Sequence, residues 1–232
     1  MNARKLRAAA LVAPIVLFLA TDAFAWEQEA GLRVRVGDPT GEFGQWVTDP
    51  GVGLGAHYGV RPLSPLTIGL GLDFLIYGQE KTRLSLPLVD DFDLTTENYL
   101  GSGFLFAQVR PLSGPVQPYA EGRLGMNYLW TESKLEDRGF FDDGDIARKT
   151  NYDDATAFWG VGGGLLIRVR ECAPEDCSPG VLIDLKVLRQ QGGEAKYLTE
   201  DGVEIVDGAP VFHPVESETD VTTYEVGVVL TF

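Results

Sequence analysis

Thr219-Asp220-Val221-Thr222-Thr223-Tyr224-Glu225-Val226-Gly227-Val228-Val229-Leu230-Thr231-Phe232 closes the chain. Side chains on an extended strand alternate between its two faces. Tyr224, Val226, Val228, Leu230 and Phe232 therefore share one face, and Thr223, Glu225, Gly227, Val229 and Thr231 share the other. One face is apolar and the other mostly small or polar. A half-buried strand of a soluble sandwich has the same pattern, with its apolar face turned inward. The rest of the chain decides which way this face points.

Met1 to Ala25 reads as a secretory signal peptide. Arg4, Lys5 and Arg7 give a positive start, Ala8 to Ala20 is apolar, and Ala23-Phe24-Ala25 is a small-x-small cleavage site. An apolar run of about 13 residues is too short to cross the hydrocarbon core as a helix, which takes about 20. The expected mature domain is 26–232, exported and free of apolar helical anchors. With that beginning in view, the ending resembles the C-terminal signal of Gram-negative outer-membrane β-barrels, carried by Glu225, Gly227, Leu230 and Phe232. The resemblance implies that the barrel-assembly machinery reads this strand.

Seven further segments alternate in the same way. Leu32, Val34 and Val36 oppose Arg33 and Arg35, and Val52, Leu54, Ala56, Tyr58 and Val60 oppose Gly53, Gly55, His57 and Gly59. Leu66, Ile68, Leu70, Leu72, Phe74 and Ile76 oppose Thr67, Gly69, Gly71, Asp73 and Tyr77. Tyr99 to Arg110 leaves its register open: Leu105, Ala107 and Val109 suit one face, yet Phe104 and Phe106 share the face of Gln108 and Arg110. Ala120, Leu124, Met126, Tyr128 and Trp130 then oppose Glu121, Arg123, Gly125 and Asn127. Trp159, Val161, Leu165, Ile167 and Val169 oppose Phe158, three glycines, Arg168 and Arg170. Val181, Ile183, Leu185 and Val187 oppose Asp184, Lys186 and Gln190.

The polar faces carry glycines and charges of both signs, which suits a narrow lumen better than a water-facing surface. Aromatic residues (Tyr58, Tyr77, Tyr99, Tyr128, Trp130, Trp159, Tyr224) gather towards strand ends, as the girdles of a membrane barrel do. The connections also sort by length. Arg61–Pro65, Pro111–Gln117 and Glu171–Gly180 are short, while Asp38–Gly51, Gly78–Asn98, Thr131–Asp154 and Gln191–Glu218 are long. Alternate links of an antiparallel barrel lie at opposite ends, so this is the asymmetry of short periplasmic turns and long extracellular loops. A sandwich has no reason to sort its links so.

The whole mature chain resembles the eight-stranded OmpA/OmpX/OmpW-like barrels, without the peptidoglycan-binding domain that follows the barrel in OmpA-type proteins. The expected fold is all-β: an eight-stranded antiparallel up-and-down transmembrane barrel. The resemblance implies a monomer in the outer membrane of a Gram-negative bacterium, among lipid and lipopolysaccharide, with both mature termini periplasmic.

Cys172 and Cys177 are the only cysteines, and a Cys-x4-Cys pair in an exported chain reads as a local disulfide. The chain has a net charge of −15, and three long links (78–98, 131–154 and 190–220) together carry −14. So acidic an exterior excludes nucleic acid, whose phosphates need Lys and Arg. The acids solvate an exposed face. Asp90/Asp91/Asp93 and Asp142/Asp143/Asp145 also offer oxygen ligands to divalent cations, though Asp142-Asp143-Gly144-Asp145 lacks the EF-hand spacing and its closing Glu.

The lumen face carries Arg33, Arg35, Arg123, Arg168, Arg170 and Lys186 against Asp73, Glu121, Asp184 and Glu225. Eight strands leave an interior that side chains can fill, and buried charges must pair. A plugged barrel is expected, with no catalytic activity and no cofactor. Its task would be to present acidic loops for envelope integrity or surface interaction. The rivals are an OmpW-like transport barrel, favoured by an apolar inner patch (Phe104, Phe106, Phe158, Leu166, Leu188), a subunit of a larger envelope machine, and a lipid A-modifying enzyme. The enzyme reading needs Ser and an acid brought to His57 or His213, and the sequence shows no Gly-x-Ser-x-Gly elbow, phosphate loop or zinc spacing.

Overall fold

The computed structural model describes the backbone of residues 26–86, 89–137, 145–172, 178–197, 203–206, 209–212 and 214–232, with side chains over 26–77, 98–131, 153–172, 178–197 and 214–232. The leader, Cys177, His213, Asp142 and Asp143 lie outside the described residues, and Asp90, Asp91, Asp93 and Asp145 are described by backbone alone.

Eight long strands follow in chain order, each paired antiparallel with its neighbours: β1 (Glu27–Pro39), β2 (Gly51–Leu63), β3 (Leu66–Leu86), β4 (Val89–Val109), β5 (Val116–Asp137), β6 (Asp145–Arg170), β7 (Gly180–Gly192) and β12 (Val221–Thr231). Four short strands intervene before the last: β8 (Glu194–Tyr197), β9 (Val203–Val206), β10 (Ala209–Phe212) and β11 (Val215–Glu218). The long strands close into one barrel in the order β1-β12-β7-β6-β5-β4-β3-β2. The terminal strand makes the seam, setting Arg33 opposite Gly227 and Arg35 opposite Glu225. Where the eight strands close on one another the barrel leaves no strand edge unpaired, and its ladder hydrogen bonds are made strand to strand around the ring.

The apolar faces point outward. Leu32, Leu54, Leu72, Leu105, Leu124 and Val226 are each more than half exposed, while Arg33, Arg35, Glu121, Arg123 and Glu225 are buried. This inverts a water-soluble barrel, and only lipid makes such an exterior favourable. The chain is built to span a membrane by strands; among the described residues no helix is long and apolar enough to do so.

The register left open along 99–110 is settled by the same inversion. Leu105 and Val109 face out, and Phe104, Phe106, Gln108 and Arg110 are buried inside. Two expectations change. Tyr77 is not a girdle residue: it lies on the inner parity of β3, alongside Asp73 and Leu75, and is buried there. The long links are also not plain loops. β3 pairs with β4 from Leu66↔Val109 to Leu86↔Val89, and β5 pairs with β6 out to Glu136↔Asp145, so these two hairpins continue as ribbons far beyond the rim. The first long link holds a short helix, α1 (Phe43–Trp46). The last folds into the ladders β8:β11 and β9:β10.

Glycines on the inner face make room for large side chains. A Cβ at Gly55 would lie 2.7 Å from Arg33 Nε and closer still to Asp73, and one at Gly125 would lie 2.7 Å from the Phe158 ring. Without these glycines, charges and rings could not meet across so narrow a barrel.

Candidate functional site

The lumen is filled in layers. At its centre Arg33 and Arg35 from β1, Asp73 from β3, Glu121 and Arg123 from β5, Asp184 and Lys186 from β7 and Glu225 from β12 form one connected knot. Asp73 accepts from Arg33 Nη2 at 2.7 Å, from Arg123 Nη1 at 3.0 Å and from Arg35. Glu225 lies 3.1 Å from Arg33 Nε, 3.4 Å from Arg35 Nη2 and 3.2 Å from Arg123 Nη2. Glu121 joins Arg123 at 2.5 Å to Lys186 at 2.8 Å. Asp184 accepts from the Tyr119 hydroxyl at 2.5 Å and stands 3.8 Å from Lys186. Four cations thus meet four carboxylates, each with a side chain no more than 5% exposed.

Charge balance is what makes this burial tolerable. Removing an ion from water costs several kcal/mol after relaxation, roughly, and only close multidentate pairing offsets it. Arginine suits the task because its planar fork bridges two carboxylates at once. Arg123 does so and also lies 4.4 Å above the centroid of Phe104.

Arg168 and Arg170, expected within this network, stand outside it. Both lie on β6 at the short-turn rim, where Arg168 pairs with Glu171 at 3.2 Å and Arg170 donates to the carbonyl of Pro179 at 2.9 and 3.1 Å. Period-two parity gives a residue's face but not its height, and these two sit too low. The same reading missed Glu29 and Arg110. Arg110 Nη2 grips both Glu29 oxygens, at 2.5 and 2.6 Å, and its Nε donates to Gln108 at 2.5 Å. Glu29 shares the parity of Arg33 and Arg35, so that signal was present in the sequence.

His57 faces the lumen, where Nδ1 accepts from Arg33 Nη1 at 2.9 Å and the ring meets Phe106 edge-on. An imidazole fixed by a guanidinium is committed as an acceptor on that nitrogen. The apolar inner patch divides. Phe104, Phe106 and Phe158 pack together in mid-barrel, whereas Leu166 joins Tyr119, Leu182 and Val229 nearer the short-turn end. A polar layer includes Asn127, whose Oδ1 accepts from Ser102 at 2.7 Å and from Gln190 at 3.0 Å.

The long-link end is closed by an apolar cap that the alternation gave no sign of. Phe43 of α1 and Tyr197 of β8 pack edge to face, 5.2 Å apart, and Phe43 meets Tyr77 at 5.4 Å. Val47, Leu75, Leu100, Leu129, Ala195 and Val221 complete the cluster. The Tyr197 hydroxyl shares a 2.8 Å hydrogen bond with Ser217, and burial pushes this phenol above its ordinary value. Just outside, Phe74, Tyr99 and Trp130 stack with centroids 5.2 to 5.8 Å apart, and Tyr128 donates to Asp153 at 2.9 Å. They form the interfacial girdle at this end. Among the described residues no His, Cys, Asp and Glu group is arranged to hold a metal.

No protein-family model matches the sequence, and a comparison with curated proteins gives no match. Among solved structures, similar ones include the attachment invasion locus protein Ail of Yersinia pestis, crystallised with the heparin analogue sucrose octasulfate. It has 12% identity and a TM-score of 0.46, over 89% of this chain and 99% of that one. Neisserial surface protein A has 13% identity and a TM-score of 0.44, over 89% and 97%. A major outer membrane protein of Thermus thermophilus has 14% identity and a TM-score of 0.39, over 88% and 99%. Scores this low establish no shared role. The class of the protein, an eight-stranded transmembrane β-barrel, is read from its own pairing and its inverted faces.

Proposed function

We propose that this protein is a monomeric outer-membrane barrel that does not conduct and has no catalytic role, and that it presents acidic β-ribbons and folded links outside the cell. One observation carries the reading: the lumen is obstructed twice in series, by the central charge knot and by the apolar cap. What the chain displays at the long-link end is then its working surface. The leader 1–25, the periplasmic placement of both termini and of a Cys172–Cys177 disulfide, contact with lipopolysaccharide through divalent cations, and recognition of Glu225, Gly227, Leu230 and Phe232 by the assembly machinery belong to the same proposal. Support for the outer membrane comes from the signal-like beginning and from the closed barrel with its lipid-facing exterior.

The refolded protein in planar bilayers is expected to show no stable conductance, while migrating faster unheated than boiled on SDS gels. Steady single-channel steps would overturn the closed reading and favour transport. Passage of an apolar solute would require a void where Phe104, Phe106 and Phe158 pack.

A further inference from the structure

The short-turn mouth opens into a vestibule of ≈ 340 Å³ whose lining includes Arg61, Arg110, Arg168 and Arg170. The guanidiniums come from β2, the end of β4 and β6, three alternate strands around the mouth. Arg110 is the inner one. It is 5% exposed, two of its nitrogens are engaged by Glu29 and Gln108, and the third, Nη1, is buried without a partner. A buried donor left unpaired costs free energy and is the arrangement expected of one held ready for an acceptor. Arg61 pairs with Glu27 at 2.5 Å, and Arg168 and Arg170 are held by Glu171 and by the Pro179 carbonyl. Each engages only part of the five N–H donors that an arginine carries. Four arginines thus gather with the carboxylates of Glu27, Glu29 and Glu171 at one mouth of a chain whose net charge is −15.

We propose that the vestibule binds a tetrahedral oxyanion, the phosphoryl group of a compound reaching the short-turn side. Arg110 Nη1 is its inner donor, and Arg168 and Arg170 bind it at the rim. One guanidinium fork satisfies a carboxylate, whereas phosphoryl oxygens accept from several donors set around them. The spread over three strands favours the second. The site is independent of whether the lumen conducts.

The test is calorimetric titration of inorganic phosphate into the refolded protein in maltoside micelles, with ionic strength held by chloride. Saturable binding is expected, weakened about tenfold or more in Arg168→Gln/Arg170→Gln, since the loss of even one charged hydrogen bond is worth about that much. These two arginines are at the rim, and the heat-dependent gel shift checks that the variant folds. Acetate at equal strength should give far less heat. Absence of saturable phosphate binding, equal binding by the folded variant, or acetate binding as tightly would each overturn the site. Repeating the titration in phosphatidylcholine nanodiscs with and without phosphatidic acid separates the sources. Competition by phosphatidic acid assigns the phosphoryl group to a lipid headgroup, and unchanged heat assigns it to a soluble compound.

Discussion

Arg123 shows what one residue contributes to closure. Its side chain is fully buried, reaches Asp73, Glu121 and Glu225, and covers the Phe104 ring. Arg123→Met keeps much of the volume but leaves three cations against four carboxylates. Breaking a buried pair in this way costs about 3–5 kcal/mol. The urea midpoint for unfolding from lipid vesicles should fall accordingly, and Arg123→Met/Glu225→Gln, which restores the balance, should recover more than half of the loss. If the double variant were no better than the single one, the knot would be held by packing rather than by charge pairing. Much of this was legible at residue scale, because period-two alternation sends Arg33, Arg35, Asp73, Glu121, Arg123, Asp184, Lys186 and Glu225 to one side of their strands. Height and partner were not. They depend on registers joining residues as far apart as Arg123 and Glu225, which no local pattern encodes. Arg168 and Arg170 have the right face and the wrong depth.

At the scale of elements, the barrel strands were legible and their extensions were not. Within the membrane one face meets lipid and the other a crowded lumen, so the sequence alternates visibly. Beyond the rim both faces of β3, β4, β5 and β6 leave lipid behind, the alternation lapses, and pairing continues without a hydrophobic signature. The cap was hidden for a different reason: α1 is four residues long, too short for any helical period to show. Its single buried residue, Phe43, does the packing. Truncating a buried Phe costs about 3–5 kcal/mol where the site cannot collapse, and here the loss should fall on the cap rather than on the barrel. Phe43→Ala is expected to speed amide exchange at Lys196 and Tyr197 while leaving exchange in β7 and β12 and the heat-dependent gel shift unchanged. Slowed or unaltered exchange at Lys196 would mean that β8 is held without Phe43, by the Asp154 carboxylate that accepts from the Lys196 amide and by the ladder with β11.

For the molecule as a whole, the cap and the knot are two closures of different physics placed along one narrow lumen. The knot excludes ions because four cations and four carboxylates satisfy one another and fill the cross-section. The cap excludes water because the packed rings of Phe43, Tyr77 and Tyr197 fill the opening and the Tyr197 hydroxyl is already engaged by Ser217. Closures in series obstruct independently, so removing either alone should leave the barrel silent. Arg33→Ala/Asp73→Ala keeps the charge balance and empties the middle of the lumen, and Phe43→Ala loosens the cap. In planar bilayers each of these variants is expected to show no steady conductance, whereas the triple variant should give resolvable steps with weak ion selectivity, since the remaining knot is neutral overall. Conductance from Phe43→Ala alone would mean that the charge knot already passes ions and that the cap is the sole barrier. Silence from a folded triple variant would place the decisive obstruction in what is left of the lumen, the remaining charges around Arg123 and Glu225 together with the layer where Phe104, Phe106 and Phe158 meet.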